Sequence, residues 1–379
     1  MNECKELRKL PASIGNLNSL CSLLMENTAV TELPESFGML SSLMILKMRK
    51  KPLKYFSAQE KLAVLPSSFI NLSSLEELDA RACRISGKIS DDFEKLSLLE
   101  TLKLGYNNFC SLPSSLKGLS LLKKLSLPHS EQLVSLPPFP SSLEELDSSN
   151  CISLESICDI SNLENLGLLN LMNCEKVMDI PGLECLKSLK SLYMSGCKAC
   201  SSAVKRRLSK DCLSNIYNTS IPGSKIPDWY SQQVISFSEG ENRDITAVIV
   251  CAVISLNHEI LDELPVVPAI QTRILKLNKP IVNFTLPLLG VPKTNEEQIH
   301  LCRFPRSHQL VSGWKTGYKL EVREHNPPIS RGVELKKCGI SPGYENDDDW
   351  VGDEESLDET QQSASEKLAK FFNSMEEDL

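Results

Sequence analysis

The stretch LETLKLGYNNFCSLP, residues Leu99 to Pro113, contains the unit from which the first half of the chain is built. Asn107 occupies the ninth position of this unit, and its apolar residues are Leu99, Leu102, Leu104, Phe109 and Leu112. The same frame begins again at Leu20, Leu43, Leu75, Leu122, Leu143, Leu166 and Leu189. The eight starts lie 23, 32, 24, 23, 21, 23 and 23 residues apart, so one interval carries an insertion and the others keep one period. This regularity indicates a repeat architecture.

The spacing LxxLxLxxN is typical of a leucine-rich repeat, in which a short strand points its leucines inward and buries them against the neighbouring repeats. The sequence therefore predicts an α/β leucine-rich-repeat solenoid with a curved parallel sheet, spanning residues 1–200 in about eight repeats. The ninth position should point into the turn and satisfy backbone groups, with Cys as a small, weakly polar filler. Besides Asn107, that position holds Thr28, Cys83, Ser130, Cys151, Cys174 and Cys197.

The chain starts inside a repeat. Its first residues match the ninth position onward of a frame whose strand is missing, with Cys4 at that position. Because a solenoid end normally carries a polar cap, we expect this sequence to be the C-terminal portion of a longer protein or a truncated gene product.

A second motif, LPxS, falls ten residues before several repeat starts. Its serines, which we expect to cap a helical turn on the convex side, are Ser13, Ser36, Ser68 and Ser115. The long interval between Leu43 and Leu75 accommodates about nine extra residues around Lys50 to Tyr55. This insertion loop is either a contact loop or a solvated segment without a role.

The distribution of charge limits the classes of partner. The net charge is −8, but residues Glu345 to Leu379 alone carry 13 acidic and 2 basic residues, which leaves +3 for the rest. A nearly neutral body gives no general attraction to nucleic acid or to an anionic membrane. We therefore expect neither partner.

The sequence is interpreted as intracellular and cytoplasmic, with a nuclear location left open. The N-terminus lacks a signal-type apolar core, and the longest apolar run, Ile245 to Leu256, is too short to span a bilayer. Many of the 14 cysteines occupy repeat positions. Because no export signal precedes them, we expect mostly reduced thiols.

The repeat frame ends after Cys197, and residues 201–217 form a polar, basic connector. Residues 218–345 then contain alternating or β-branched runs that predict an all-β sandwich domain, at Val234–Phe237, Ile245–Leu256, Ile281–Leu286 and Tyr318–Glu324. Residues 346–379 form an acidic tail. A short amphipathic helix is predicted in it, beginning at the capping-box sequence Ser363 to Glu366.

Two stretches of the β domain resemble a known family. SIPGSKIPDWYSQQ, Ser220 to Gln233, is similar to the opening of the domain that follows the repeats in plant TIR-type nucleotide-binding leucine-rich-repeat immune receptors, and VELKKCGISPGYE, Val333 to Glu345, is similar to its closing strand. The resemblance implies a jelly-roll and Ig-like (C-JID) sandwich. Within the opening motif, a structural role is expected for Pro222, Gly223, Ile226, Pro227 and Trp229: a turn, and a plug at the sandwich edge.

The same resemblance implies a function in plant defense and innate immunity. The chain would be the part of a disease resistance protein that recognises a pathogen effector or a host guardee and contacts the other domains of the receptor. In the family, NAD+ cleavage belongs to the TIR domain, and no GxxxxGK[ST] phosphate loop occurs in this sequence. Two alternatives remain: a repeat scaffold for an endogenous partner, and an extracellular repeat receptor, suggested once by Ile85 to Ile89.

Candidate partner-binding residues follow from the frame. Positions three, five, seven and eight of each repeat should point outward from the concave face, where mixed charge with Tyr and His suits a protein partner as well as it suits pairing within the chain. The candidates are Lys47, Arg49, Lys50, Asp79, Arg81, Lys103, Tyr106, His129, Asp147 and Tyr193, with Asn170 at the same kind of position.

Catalytic, cofactor-binding and metal residues are not predicted. The five histidines, at positions 129, 258, 300, 308 and 325, show no metal-ligand spacing and no evident nucleophile partner. Cys197 and Cys200 form a CxxC pair that Cys212 could extend to a redox or zinc site. The repeat frame already accounts for Cys197, however, and the sequence offers no fourth ligand nearby.

Overall fold

A computed structural model describes residues 1–52, 65–89, 91–199, 202–227, 230, 233–236, 245–256, 264–291, 296–313, 315, 317–324, 333–344 and 364–374. Most of the predicted insertion loop and the acidic segment 346–363 lie outside these residues. The chain divides into two compact units, Met1–Leu189 and Lys190–Leu379.

In the first unit, each repeat contributes one three-residue strand to a parallel sheet of order β1-β2-β3-β5-β7-β9-β11. The central Leu of each strand is buried, and equivalent leucines pair in register, as Leu78 does with Leu102. The strands are β1 Ser22–Leu24, β2 Ile45–Lys47, β3 Glu77–Asp79, β5 Thr101–Lys103, β7 Lys124–Ser126, β9 Glu145–Asp147 and β11 Leu168–Asn170. This sheet confirms the leucine-rich-repeat fold predicted from the spacing.

In four of the repeats, a second short strand follows the first, and these second strands form another parallel sheet in the order β10-β8-β6-β4. Its strands are β4 Ser86–Lys88, β6 Asn108–Ser111, β8 Ser135–Leu136 and β10 Ser156–Ile157. Short 3-10 turns complete the repeats, at Ala12–Asn16, Glu35–Met39, Ser67–Asn71, Asp91–Lys95, Ser114–Gly118 and Leu183–Cys185.

The expectation that the LPxS serines cap these turns is wrong. The cap position is the proline itself, for example Pro66, and it makes no side-chain cap hydrogen bond. Ser68 lies inside the turn, and its hydroxyl instead donates to the carbonyl of Glu35 in the preceding repeat, at 2.6 Å. Ser68 therefore ties its turn to the turn before it.

The first residues adopt the conformation of the eighth position of a repeat, as the frame predicts. Glu3 has φ 61°, and its backbone N–H donates to the carbonyl of Glu26 at 2.8 Å. Asn27, at the eighth position of the next frame, has φ 55° and donates in the same way to Arg49, at 2.9 Å. Glu3 thus stacks on the next repeat in the same way as Asn27.

Ninth-position side chains satisfy backbone carbonyls, as predicted. Asn107 Nδ2 donates to the carbonyl of Ala80 at 2.9 Å, and Cys83 Sγ donates to that of Met48 at 3.1 Å. Ala80 and Met48 both occupy the sixth position of the preceding repeat. Cys151 and Cys174 donate to the equivalent carbonyls at 3.4 and 3.1 Å. In these four repeats one ninth-position side chain therefore links consecutive turns, whereas Thr28 donates to the carbonyl of Met25 in its own repeat.

The second unit contains two sheets that share one core. One sheet has the order β12-β13-β18-β15-β20 and the other β14-β19-β16-β17, and all their pairings are antiparallel except that of β12 with β13. The strands are β12 Ser191–Tyr193, β13 Asn218–Pro222, β14 Val234–Ser236, β15 Ile245–Leu256, β16 Leu264–Lys276, β17 Lys279–Val291, β18 Gln298–Pro305, β19 Lys319–Glu324 and β20 Val333–Tyr344.

Alternating residues of both sheets meet in this core. Val250 and Phe304 from the first sheet pack in one cluster with Ile274 and Val322 from the second, together with Leu310 of helix α3. The helices are α1 Ser202–Arg207, α2 Lys210–Ser214, α3 Gln309–Ser312 and α4 Ala364–Ser374. Helix α4 lies where the amphipathic helix is predicted; it packs on α1 and α2 and buries Leu368 and Phe372.

The second unit begins earlier than the boundary predicted at residue 200. Strand β12 belongs by sequence to the last repeat, but it pairs in parallel with β13, which in turn pairs antiparallel with β18. The strand of the last repeat is thereby hydrogen-bonded into the sheet of the second unit.

Candidate protein-binding surface

The candidate residues of the first unit fall into two groups. One group lies on the strand of each repeat, and the other lies in the turn after that strand. Side chains at positions three and five flank the buried Leu of each strand and share the outer side of the sheet, which we call the strand face. Lys47 pairs in register with Asp79, and Asp79 with Lys103, as predicted. The frame therefore places these three residues correctly along one row.

Glu77, at position three, organises the charges of this row. Its two carboxylate oxygens lie 3.1 Å from Lys47 Nζ and 3.2 Å from Lys103 Nζ. Burial opposes ionisation of Glu77, but the hydrogen bonds from both lysines outweigh it and lower the pKa of the carboxyl. Glu77 is not among the predicted contact residues, although the alternation of the strand puts positions three and five on the same side.

Asp79 is not on the exposed surface, contrary to the prediction. Its side chain is 4% exposed and accepts from Arg81 Nε at 2.9 Å and from Arg81 Nη2 at 2.7 Å. Burial raises the pKa of Asp79, but the guanidinium of Arg81 overcomes this effect and the net pKa is lowered. A bidentate pair of this kind orients Arg81 firmly.

Position five has a local role that explains its polar residues. Asp79 accepts from the backbone N–H of Arg81, Asp147 from that of Ser149 and Asn170 from that of Met172, at 3.3, 3.0 and 3.2 Å. An Asx residue that bonds the backbone two residues on stabilises a turn. Turn formation therefore accounts for Asp147 and Asn170 without any contact to a partner.

Lys50 does not extend into solvent as predicted. Its Nζ folds back and donates to the carbonyl of Val30 at 2.7 Å, and burial lowers the pKa of the amine. Arg49, by contrast, has a side chain 46% exposed and pairs with Glu26 at 2.7 Å. Of these two neighbouring residues, only Arg49 has its charged group at the exposed surface.

Position eight forms a continuous row, which we call the corner row: Tyr106, His129, Asn150 and Asn173. All four have φ between 58° and 60°, in the left-handed region that Asn tolerates best. Their backbone N–H groups continue the stack, since that of His129 donates to the carbonyl of Ser149 at 2.8 Å. The conformation places the four side chains at the same corner of successive repeats, where Asn150 is buried and the other three are half-buried.

The side chains of the corner row contact one another. The rings of Tyr106 and His129 stack with centroids 4.4 Å apart and an interplanar angle of 15°. His129 Nε2 lies 3.1 Å from Asn150 Nδ2, and Asn173 Nδ2 donates to Asn150 Oδ1 at 2.7 Å. Tyr106 and His129 were predicted as separate contact residues, whereas Asn150 and Asn173 were missed because Asn at a turn gives no signal beyond the turn itself.

Tyr193, in the second unit, is not exposed as predicted. Only 6% of it is accessible, and this burial raises the pKa of the phenol. The strand that carries it pairs in parallel with β13, where Tyr193 lies opposite Ser220. Position five of the last repeat is therefore part of the interior of the second unit.

Part of the opening motif, for which a turn and a plug at the sandwich edge were expected, lies among the described residues. Pro222 ends β13 opposite Gln298, and the N–H of Gly223 donates to the carbonyl of Glu297 at 3.0 Å. Pro227 is buried and its carbonyl accepts from Tyr230, whereas Ile226 is half-buried. Trp229 lies outside the described residues.

No group of three or more His, Cys, Asp or Glu side chains that could hold a metal ion occurs among the residues described. Cys197 is completely buried and Cys212 is 1% exposed, while Cys200 is not described. Every described cysteine is a free thiol. Within the same residues, no helix is long and apolar enough to cross a membrane.

Strands in register and ninth-position side chains that bond the preceding repeat define a leucine-rich-repeat protein. No protein-family profile matches the chain. Its relatives are plant disease resistance proteins. It is 34% identical over 145 residues to TMV resistance protein N of Nicotiana glutinosa, and 22% identical over 392 aligned residues to disease resistance protein RPS4B of Arabidopsis thaliana. The chain is similar to the leucine-rich-repeat part of such TIR-type receptors.

These matches cover 38% and 92% of this chain but only 12% and 32% of the two relatives, so the chain spans at most about a third of their length. Among solved structures, the leucine-rich-repeat domain of the type III effector XopL matches 52% of this chain and 67% of its own, with 26% identity and a TM-score of 0.40. The ectodomain of the Arabidopsis thaliana receptor kinase GASSHO1/SCHENGEN3 matches 57% of this chain and 28% of its own, with 22% identity and a TM-score of 0.37.

Proposed function

We propose that this chain is the effector-recognition and regulatory part of an intracellular plant immune receptor, and that it binds a protein through the corner row and the adjoining strand face. The partner would be a pathogen effector or a host guardee. The relatives support the immune role, and the surface supports protein binding. The proposal assigns no catalytic step, cofactor or nucleic acid to these residues, and it places the receptor in the cytoplasm or the nucleus.

The observation that carries the binding proposal is the stacked pair of Tyr106 and His129. Each ring holds the other at a centroid distance of 4.4 Å, and Asn150 fixes the imidazole from the far side. Side chains that are already ordered lose little conformational entropy on binding, which favours affinity. Tyr is also among the residues that most often dominate the energy of protein interfaces.

Charged groups next to this pair add specificity. Arg81 is oriented by Asp79, and the side chains of Lys47 and Lys103 remain 32% exposed while they contact Glu77. Such a preorganised pattern of charge can select a partner of complementary charge and increase the rate of encounter. The predicted pairing within the chain and the predicted binding role are therefore compatible, because paired side chains still present one face to solvent.

The test replaces Tyr106 and His129 by Asn, which suits the left-handed backbone at both positions. The variant is placed in a full receptor that carries this chain and is assayed for cell death and for co-precipitation with a panel of effectors. We expect loss of both responses with normal accumulation of the protein. The matched control is Lys117→Asn on an exposed 3-10 turn, and an equal loss in the control, or none in the double variant, would reject this surface.

A further inference from the structure

The hairpin between β16 and β17 in the second unit has an unusual tip. Leu277 and Asn278 have φ of 49° and 62°, so both residues of the two-residue turn are left-handed. Such turns favour Asn and Gly, and a leucine there carries a steric cost. Leu277 is also 88% exposed, so packing within the described chain does not compensate this cost.

Lysines surround this leucine. Lys276 lies directly opposite Lys279 in the pairing of β16 with β17, and Lys319 of β19 lies opposite Leu275. Lys319 Nζ donates to Asn278 Oδ1 at 3.2 Å, which places a third ammonium group at the turn. Like charges directly across a pair of strands repel one another. No acidic residue occurs in 276–282 or among the described residues of 315–319.

A second apolar side chain lies beside the turn on β17. Ile281 is 48% exposed, and Pro280 before it is exposed too. On the other side, Lys276 Nζ lies 5.7 Å from the ring centroid of Tyr318. We call Lys276, Leu277, Lys279, Ile281 and Lys319 the basic tip. It combines an apolar apex with a surrounding set of cations, and none of its charges has a carboxylate partner within the stretches just named.

We propose that the basic tip binds an anionic lipid surface, with Leu277 entering the boundary between headgroups and acyl chains and the lysines contacting the lipid phosphates. Apolar burial and attraction to anionic lipids act together in interfacial binding of this kind. A stable protein interface buries roughly 800 Å² on each side, and a convex two-residue turn is too small for that. A flat bilayer requires no matching pocket.

A net charge close to zero outside the acidic tail predicts no membrane partner. This net charge, however, averages the charge over the whole body. The fold instead brings Lys319 next to Lys276 and Lys279, which precede it by about forty residues in sequence. Attraction to a membrane depends on the charges within a Debye length, about 8 Å at physiological salt, so the local cluster determines it.

The test is sedimentation of the full chain with vesicles of phosphatidylcholine alone or mixed with phosphatidylserine. We expect binding to the mixed vesicles that weakens as salt is raised, and little binding to phosphatidylcholine. Lys276→Gln with Lys279→Gln should weaken binding about 25-fold, because each lysine contributes a factor of about five to the binding constant. Leu277→Asn should weaken it about tenfold or more, and it keeps the turn because Asn favours a left-handed backbone.

The matched control is Lys9→Gln with Lys117→Gln, which removes the same charge from exposed positions elsewhere. Equal weakening in this control would overturn the proposal, because it would show a general charge effect. Equal binding to both kinds of vesicle would also overturn it. So would binding to a soluble poly-glutamate peptide without binding to vesicles, which would assign the basic tip to an acidic protein instead.

Discussion

Gln298 Oε1 accepts a hydrogen bond of 3.0 Å from the backbone N–H of Gly196, the eighth position of the last repeat. In earlier repeats this N–H bonds the following repeat, as that of Tyr106 does with the carbonyl of Pro128 at 2.7 Å. Gln298 is 1% exposed, and its side chain supplies the acceptor that a carbonyl of the following repeat supplies in the earlier repeats.

The first prediction concerns this replacement. Gln298→Met keeps the length of the side chain but removes the acceptor, which leaves the N–H of Gly196 buried without a partner. We expect the free energy of unfolding to fall by about 1–3 kcal/mol, measured by urea denaturation. The exposed neighbour Glu296→Met is the control and should change stability little; equal stability of Gln298→Met and the wild type would show that the hydrogen bond is dispensable.

The second prediction tests the stacking of repeats. Leu102 is completely buried at the centre of β5, and Leu102→Asp would place a carboxylate there without a counter-charge. Because each repeat depends on its neighbours, we expect the loss of at least the adjoining repeats, seen by circular dichroism and thermal unfolding. Leu121→Asp, at the exposed last position of the same repeat, should be tolerated.

The third prediction concerns acid stability. The pKa of Asp79 is lowered in the folded chain, so its contribution to stability is complete above the unfolded pKa, about 3.9. This contribution is lost as the pH falls through the folded pKa. Asp79→Asn should therefore lower the midpoint temperature of thermal unfolding at pH 7. The difference in midpoint between this variant and the wild type should become smaller as the pH is lowered towards 2. A difference that stays constant over this range would contradict the assigned role of Arg81.

The fourth prediction concerns the thiols. Burial raises the pKa of Cys83 and of Cys151 to about 12, so neither should react as a thiolate in the native protein at pH 8. Cys21 and Cys110 are exposed and should react at once with a thiol reagent. The count of reactive thiols should rise on denaturation without reductant. No rise on denaturation would mean that the buried cysteines are oxidised.

The fifth prediction separates charge from fold on the strand face. Lys47→Gln with Lys103→Gln removes both partners of Glu77, but these side chains are partly exposed and we expect stability to change by less than about 1 kcal/mol. Binding of a cognate effector should slow and lose part of its salt dependence. Lys124→Gln, which breaks the exposed pair with Glu145, is the matched control for the loss of a surface charge.

The repeat frame could be predicted because burial imposes it: residues such as Leu102 must recur wherever a strand must be covered. The contacts made by individual polar residues could not be predicted. Lys50 turns to the carbonyl of Val30 and Asp79 to Arg81, and such choices depend on distances that the frame does not contain. Strand β16 was missed for another reason, since Pro265 and Pro268 interrupt the alternation that identifies a strand.

The left-handed backbone at the eighth position of these repeats has a consequence for how such a protein can diversify. Asn27, Ala82, Tyr106 and His129 differ widely in chemistry, yet all of them hold the same conformation and leave the leucine core untouched. An exchange at this corner alters what the surface can recognise while the stack beneath it stays the same. New specificity can therefore arise one repeat at a time, by exchanges among side chains that tolerate the left-handed backbone.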